Sequence, residues 1–171
     1  MSTGIFFGLA VILVYIFTLT VPSHAFSKKI SSIVGKYILW IGLVLSGAAI
    51  VSSLVYSDVI GYPPCLLCWW TRIFFYPQVA LFAVALIKKE KKILDYSLVL
   101  TSIGLLISTY HYIIESVGYS PLPCSANGVS CLTRYVYEYG FITIPFMGLV
   151  GFALLLLSLV IAKKAYITTV S

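Results

Sequence analysis

Five long apolar runs restrict the fold of this chain more than any other feature. They lie at about 4–22, 37–57, 69–87, 94–114 and 141–162. Each approaches the roughly 20 residues that a helix needs to cross a bilayer, and the short alternating segments of a β-barrel are not visible. Only 9% of the residues are charged, against about a quarter in soluble domains. We therefore predict an all-α integral membrane protein, with a four-helix transmembrane bundle plus one extra N-terminal transmembrane helix.

Positive charge is concentrated at the ends of these runs. The connections around 23–36, 88–93 and after 162 hold nine of the eleven cations, namely Lys28, Lys29, Lys36, Lys88, Lys89, Lys91, Lys92, Lys163 and Lys164. Because cytoplasmic loops carry an excess of Lys and Arg, we predict that the C-terminus is cytoplasmic. The N-terminus and the loops 58–68 and 115–140 should then be extracytoplasmic. Lysines at the ends of apolar runs set the membrane topology and account for the net charge of +6. We therefore do not expect a nucleic-acid partner.

The first apolar run has two interpretations. Residues 1–22, followed by small residues up to Ala25, are compatible with a cleaved signal peptide. However, no positively charged segment precedes the run, and cleavage would place the first lysine cluster outside, against the charge rule. We therefore predict a retained transmembrane helix at 1–26 and a four-helix membrane domain at 37–162.

Cys65 and Cys68 form a C-x-x-C motif directly after two prolines and just before the third apolar run. Proline suits the first positions of a helix, so both sulfurs should lie near the N-terminus of that span. The free amides and the helix dipole stabilise a thiolate there, which favours thiol–disulfide exchange. A structural disulfide or half of a metal site uses the same spacing.

Arg72 lies four residues after Cys68, so the two side chains share one helix face. An arginine inside a transmembrane helix is unfavourable unless it is paired or hydrated, which makes Arg72 a candidate functional residue. It would lower the pKa of the neighbouring thiol or hold a ligand beside the sulfur. The alternative is that its side chain extends to the lipid headgroups.

The second cysteine pair, Cys124 and Cys131, lies in a segment rich in turn-forming residues. Prolines precede Cys124, and Asn127 and Gly128 lie between the cysteines, a pattern that predicts an extended approach followed by a tight turn. Such a turn can bring the two cysteines close enough for a disulfide. The pair either exchanges with an incoming thiolate or simply staples the loop.

Four motifs follow one another along the chain. They are Pro64-Cys65-Leu66-Leu67-Cys68-Trp69-Trp70-Thr71-Arg72 with Tyr76-Pro77, Tyr110-His111-Tyr112 with Glu115, the Pro123-Cys124 loop, and Gly140-Phe141-Ile142-Thr143-Ile144-Pro145-Phe146. In this order they resemble the disulfide-bond formation protein B family, and most closely its short DsbB/BdbC-type members. The resemblance covers about 37–162. The order of the two cysteine pairs separates the chain from the vitamin K epoxide reductase family, in which the C-x-x-C motif comes last.

The resemblance implies a thiol:quinone oxidoreductase in the bacterial cytoplasmic (inner) membrane. A DsbA/BdbD-like thioredoxin-fold thiol oxidase would attack Cys124 of a Cys124–Cys131 disulfide. Electrons would then pass to the Cys65–Cys68 pair, and Cys68 would deliver them to ubiquinone or menaquinone held near Arg72. No metal is expected. The cysteine spacing would allow a four-thiolate zinc site, but an oxidising compartment disfavours free thiolates.

His111 and Glu115 are four residues apart and share a helix face. We predict that they bind the quinone or carry its protons, the alternative being a polar pair bonded to neighbouring tyrosines or backbone. Two features depart from the family pattern. Thr71 occupies the position where the family usually has Gln or Glu, and the first apolar run is additional to the usual four helices.

Overall fold

The computed structural model describes residues 24–90, 92–120, 125–126, 129–137 and 141–170, with side chains for 33–90, 92–120, 129–137 and 141–166. Its helices are α1 (His24–Leu54), α2 (Leu66–Lys88), α3 (Ile93–Val117) and α4 (Ile144–Val170). All four are long and apolar enough to cross a membrane. Four of the five predicted spans are thereby confirmed as helices, whereas the predicted extra helix at about 1–22 lies outside the described residues.

The four helices form a closed bundle. Helix α1 packs against α2 and α4, and α3 packs against the same two helices. Each helix packs against the one that follows it in the chain, which gives an up-down arrangement, so the end of α1, the start of α2, the end of α3 and the start of α4 meet. We call this the cysteine end, because Cys65 and Cys131 lie there.

Close approach of the helices depends on glycine at two aromatic contacts. A methyl group on Gly42 would collide with the ring of Phe82, and one on Gly104 would collide with the ring of Phe152. Phe152 also stacks on Phe75, with ring centroids 3.8 Å apart. Small residues let helices approach in this way in membranes, where packing rather than water exclusion drives association.

A buried polar group links α2 to α3 in the middle of the bundle. The Gln78 side-chain amide donates to the Ser97 carbonyl oxygen (3.1 Å) and to the Thr101 hydroxyl (2.7 Å). All three residues are fully buried. Hydrogen bonds of this kind join helices where no water is present to compete.

Helix α1 begins earlier than the predicted span, because the connection predicted around 23–36 is helical from His24 onward. At the other end, α1 continues into a π-helical turn, Val55–Val59. Turns of this type are frequent at functional sites, and this one adjoins the loop that leads to Cys65.

A small hairpin lies between α3 and α4 of this predominantly helical protein. Strands β1 (Ser125–Ala126) and β2 (Val129–Ser130) pair in antiparallel fashion. The turn predicted at residues 127–128 lies outside the described residues. The hairpin brings Cys131, the next residue, to the cysteine end of the bundle.

Candidate active site

The first cysteine pair lies at the beginning of α2. Cys65 is the N-cap residue, with an extended backbone, and its sulfur accepts a hydrogen bond from the Cys68 amide at 3.4 Å. The two sulfurs are 2.9 Å apart, and both cysteines are free thiols. Pro63 and Pro64 precede them, so the local sequence places both sulfurs at the positive end of the helix dipole.

His111 completes the surroundings of Cys65. Its Nε2 lies 3.6 Å from the Cys65 sulfur, although 46 residues separate the two in the chain. The hydrogen bond from the Cys68 thiol lowers the pKa of Cys65 most strongly, burial opposes it, and the hydrogen bond and charge of His111 lower it further, to about 4. Cys65 is therefore the thiol that this site holds as a thiolate, the reactive form in disulfide exchange.

Cys131 approaches this group from the second loop. The Cys65 sulfur, a ring nitrogen of His111 and the Cys131 sulfur all lie within 4.8 Å of one another, and all three residues are buried. Cys131 is disulfide-bonded, whereas Cys124, predicted as its partner, lies outside the described residues. A disulfide sulfur is not a thiolate, so this state does not present the four-thiolate zinc site considered from the sequence.

Arg72 is buried inside the bundle. Only 6% of its surface is exposed. Its Nε donates to the Ser53 hydroxyl (2.8 Å) and one terminal nitrogen donates to the Ser53 carbonyl oxygen (2.9 Å). The guanidinium also lies 5.3 Å from the centre of the Trp69 ring. Helix α1 thus supplies the partner that a buried arginine requires.

A cleft of about 480 Å³ extends from this site along the bundle between α1 and α4. Cys68, Arg72 and His111 line it at the cysteine end, and Phe75 lines it at greater depth. Its walls are mostly apolar and include the small residues Ala48, Ala49, Gly148 and Gly151. Because Ala48 is exposed on the outer surface of α1, the cleft is open at the side of the described bundle.

Glu115 lies one turn beyond His111 on α3, as the sequence predicts. Its side chain is buried, and its Oε2 has no hydrogen-bond partner within the described structure. It lines a small pocket together with Cys65, Cys68, Cys131 and Arg72. Of the predicted site residues, all but Cys124 are therefore described, and they converge on one end of the bundle.

Two contacts of this site were missing from the sequence analysis. Ser53, which holds Arg72, is one of several serines in an apolar run and carries no distinguishing signal. Arg134, for which the sequence suggested only a lateral amphipathic segment with Tyr135 and Tyr139, donates to the backbone of α3 at Glu115.

Comparison with known proteins agrees with this arrangement. A sequence model described as disulfide bond formation protein DsbB matches residues 35–162. The probable disulfide formation protein C 1 of Bacillus anthracis is 41% identical over 118 residues, covering 68% of this chain and 85% of the relative. The SPbeta prophage-derived disulfide bond formation protein B of Bacillus subtilis is 40% identical over 123 residues, covering 70% and 83%.

The disulfide bond formation protein C of Bacillus subtilis is also similar, with 34% identity over 132 residues that cover 77% of this chain and 94% of the relative. No solved structure matches the chain. The family match spans the four described helices and both cysteine motifs. The chain therefore belongs to the DsbB family of disulfide bond formation proteins, which are multi-pass membrane oxidoreductases.

Proposed function

We propose that this protein is a thiol:quinone oxidoreductase that reoxidises an extracytoplasmic, DsbA/BdbD-like thioredoxin-fold thiol oxidase. The observation that carries the proposal is the convergence of Cys65, His111 and Cys131 within 4.8 Å above a lateral apolar cleft that Cys68 and Arg72 also line. Two redox-active groups therefore adjoin each other, and one of them adjoins a space open towards lipid.

In this mechanism the second pair, Cys124 and Cys131, meets the partner. A partner thiolate attacks the Cys124 sulfur and releases Cys131 as a thiolate. Cys131 then attacks Cys65 of the Cys65–Cys68 disulfide, so that a Cys65–Cys131 bond forms and Cys68 leaves as a thiolate. The partner's second thiol resolves its own mixed disulfide with Cys124, and the partner leaves oxidised. Cys124, released as a thiolate, then attacks Cys131 of the Cys65–Cys131 bond, which restores the Cys124–Cys131 disulfide and releases Cys65. The reduced Cys65–Cys68 pair would return to a disulfide by giving two electrons and two protons to a quinone.

The residues of the cleft fit a quinone headgroup. A quinone is a flat ring with two carbonyl oxygens and, when bound, accepts two electrons and two protons. Arg72 uses two of its five N–H groups on Ser53, which leaves others to donate to a carbonyl oxygen. His111 and Glu115 can hold or pass protons beside the sulfurs, and the apolar walls suit an isoprenoid tail.

A purely structural role for the cysteines agrees less well with the site. If the cysteines served only to crosslink the two loops, both pairs would form disulfides, but Cys65 and Cys68 are free thiols. The low pKa of Cys65 (about 4) also favours exchange, because it makes Cys65 a good leaving group when the Cys65–Cys131 bond is broken by attack on Cys131.

We also propose the sidedness and boundaries that follow from the charge pattern. The cysteine end lies on the extracytoplasmic face of the bacterial cytoplasmic membrane, and the C-terminus is cytoplasmic. Residues 37–162 form the redox domain, and residues 1–26 form a retained N-terminal helix. Labelling of intact cells with a membrane-impermeant maleimide, in a background without the native cysteines, tests this. A cysteine replacing Tyr119, which is exposed at the cysteine end, should be modified from outside, and a cysteine replacing Lys164 should not.

The decisive experiment is anaerobic quinone reduction by the purified protein. The reduced thioredoxin-fold partner is mixed with the protein and a short-chain ubiquinone or menaquinone, and the quinone absorbance is followed. We expect turnover for the wild type, and none for Cys65→Ser, Cys68→Ser, Cys124→Ser or Cys131→Ser. Tyr119→Phe, at an exposed residue outside the cleft, is the matched control and should retain full activity.

Two outcomes contradict the proposal. If any of the four cysteine variants still reduces quinone at the wild-type rate, the relay through both pairs is wrong. If the wild type oxidises the partner but reduces neither quinone, the electron acceptor is wrong while the exchange chemistry stands.

A further inference from the structure

The segment that follows Cys131 is attached to the end of α3 by Arg134. One terminal nitrogen of the guanidinium donates to the carbonyl oxygens of Glu115 (2.6 Å) and Ser116 (3.3 Å). These carbonyls belong to the last turn of α3, where no further helical amide follows to bond them. The negative end of the helix dipole also favours a cation there, so Arg134 has two reasons to remain at this position.

The next residue attaches the same segment to a different element. The ring of Tyr135 stacks on that of Tyr62, with centroids 4.9 Å apart and planes inclined by 17°. Tyr62 lies three residues before Cys65 and itself stacks on Tyr56, at 6.3 Å. Two successive residues therefore connect the Cys131 segment to α3 on one side and to the Cys65 loop on the other.

The last turn of α3 also forms the base on which both sulfurs lie. Ile114 packs in one buried cluster with Cys65 and Cys131. The same turn thus supplies the apolar contact beneath the cysteines and the carbonyl oxygens that hold Arg134. Any movement of the Arg134 segment along α3 would carry Cys131 away from this contact.

We propose that Arg134 is a positioning residue that, together with the Tyr135–Tyr62 stack, holds the Cys131 sulfur in reach of Cys65 for exchange between the two pairs. The inference rests on the proposed function, because it concerns the step in which Cys131 attacks Cys65. In that step a Cys65–Cys131 bond forms, the Cys65–Cys68 bond breaks, and Cys68 leaves as a thiolate. Arg134 takes no part in the bond changes.

A positioning residue of this kind controls the effective concentration of the Cys131 sulfur at the Cys65 sulfur. A loop attached only at its ends explores a large volume, whereas fixed reactants react as if at high concentration. A charge-assisted hydrogen bond at the surface is weakened by solvent and salt. We therefore expect loss of Arg134 to lower the effective concentration about tenfold, equal to about 1.4 kcal/mol.

The test measures disulfide equilibria in protein that retains only two cysteines. In the Cys68→Ser, Cys124→Ser background, only Cys65 and Cys131 remain, and their disulfide is equilibrated against reduced and oxidised glutathione. We expect Arg134→Ala to lower its formation constant about tenfold, Arg134→Lys to lower it less, and Tyr135→Leu to lower it independently. Tyr119→Ala, the removal of an exposed ring from the same end of the bundle, should leave it unchanged.

A second background separates positioning from general loss of structure. In the Cys124→Ser, Cys131→Ser protein, the Cys65–Cys68 disulfide forms within one turn of α2, so Arg134→Ala should leave its constant unchanged. If Arg134→Ala changes both constants equally, or changes neither, the proposal is wrong. Neither measurement involves quinone or partner, so a failure of the proposed function in turnover would not be mistaken for a failure of this inference.

Discussion

The thiolate at Cys65 allows the most direct test of the site, by replacement of Cys68 with alanine. The Cys68 thiol makes the largest contribution to the low pKa of Cys65, ahead of His111, while burial acts in the opposite direction. Without the Cys68 thiol, burial is opposed by His111 and by the backbone amide of residue 68. We therefore expect the pKa of Cys65 to rise from about 4 by at least about one unit, equal to about 1.4 kcal/mol.

The assay is the pH dependence of alkylation of reduced Cys65 by iodoacetamide, in a Cys124→Ser, Cys131→Ser background. Only the thiolate reacts, so the rate falls as the pH falls through the pKa of the folded protein. A raised pKa moves that fall to higher pH. The midpoint is compared rather than the absolute rate, because the intrinsic reactivity of a thiolate increases with its pKa.

Two further variants give the expected order of effects. Cys68→Ser keeps a hydroxyl donor at 68 and should move the midpoint least, whereas His111→Phe should move it by an intermediate amount. The reasoning is refuted if the midpoint in Cys68→Ala stays at about 4, or if His111→Phe moves it further than Cys68→Ala does.

Three other predictions follow from contacts within the bundle. Gly104→Leu places a side chain against the Phe152 ring and should destabilise the protein by roughly 1–3 kcal/mol through overpacking. The destabilisation is measured as a lower Tm in detergent. Gly47→Leu is the control, because no atom lies within 4 Å of a methyl group added there. Ser53→Ala removes one of the two hydrogen bonds that Ser53 accepts from the buried Arg72. In the anaerobic assay it should raise the KM for quinone by about tenfold and leave the KM for the partner nearly unchanged. Equal changes in both KM values would contradict the proposal that Arg72 binds the quinone. Asp95→Asn breaks an ion pair between exposed groups and should change stability by less than about 1 kcal/mol, so a large loss of Tm would show that the pair matters more than its exposure implies.

Hydropathy and charge predict most of the fold of this protein. Four of the apolar runs are helices in the structure, because a bilayer restricts a spanning segment to a narrow range of length and composition. The two prolines before Cys65 correctly indicated a helix start, and Cys65 is the N-cap. Since successive spans alternate in direction, the sequence also implied that both cysteine pairs meet at one end.

The contacts between helices were less predictable. Each helix is apolar on nearly all sides, so hydropathy does not determine which face meets a neighbour. The contact of His111 with the Cys65 sulfur therefore emerged only from the structure. The sequence predicts that His111 binds the quinone or carries its protons, and this stays a prediction although His111 lines the cleft.

The same limit applies to the arginines. Burial of Arg72 could be anticipated from its place in a span, but its partner Ser53 depends on the rotation and depth of α1. Arg134 lies in a loop whose course is set by the chain between two helices, and no periodicity describes such a segment. Its hydrogen bonds to α3 could not be derived from spacing.

The aromatic stack of Phe75 and Phe152 has a consequence for the energetics of turnover in the membrane. Phe75, one ring of the stack, lines the cleft below the sulfurs. In the proposed function, the thiols and a bound quinone would therefore exchange protons on the cysteine side of the stack. The two protons released by oxidation of a dithiol would balance the two taken up by the quinone, and no charge would cross the bilayer. We therefore expect the rate of catalysis in proteoliposomes to be independent of an imposed membrane potential.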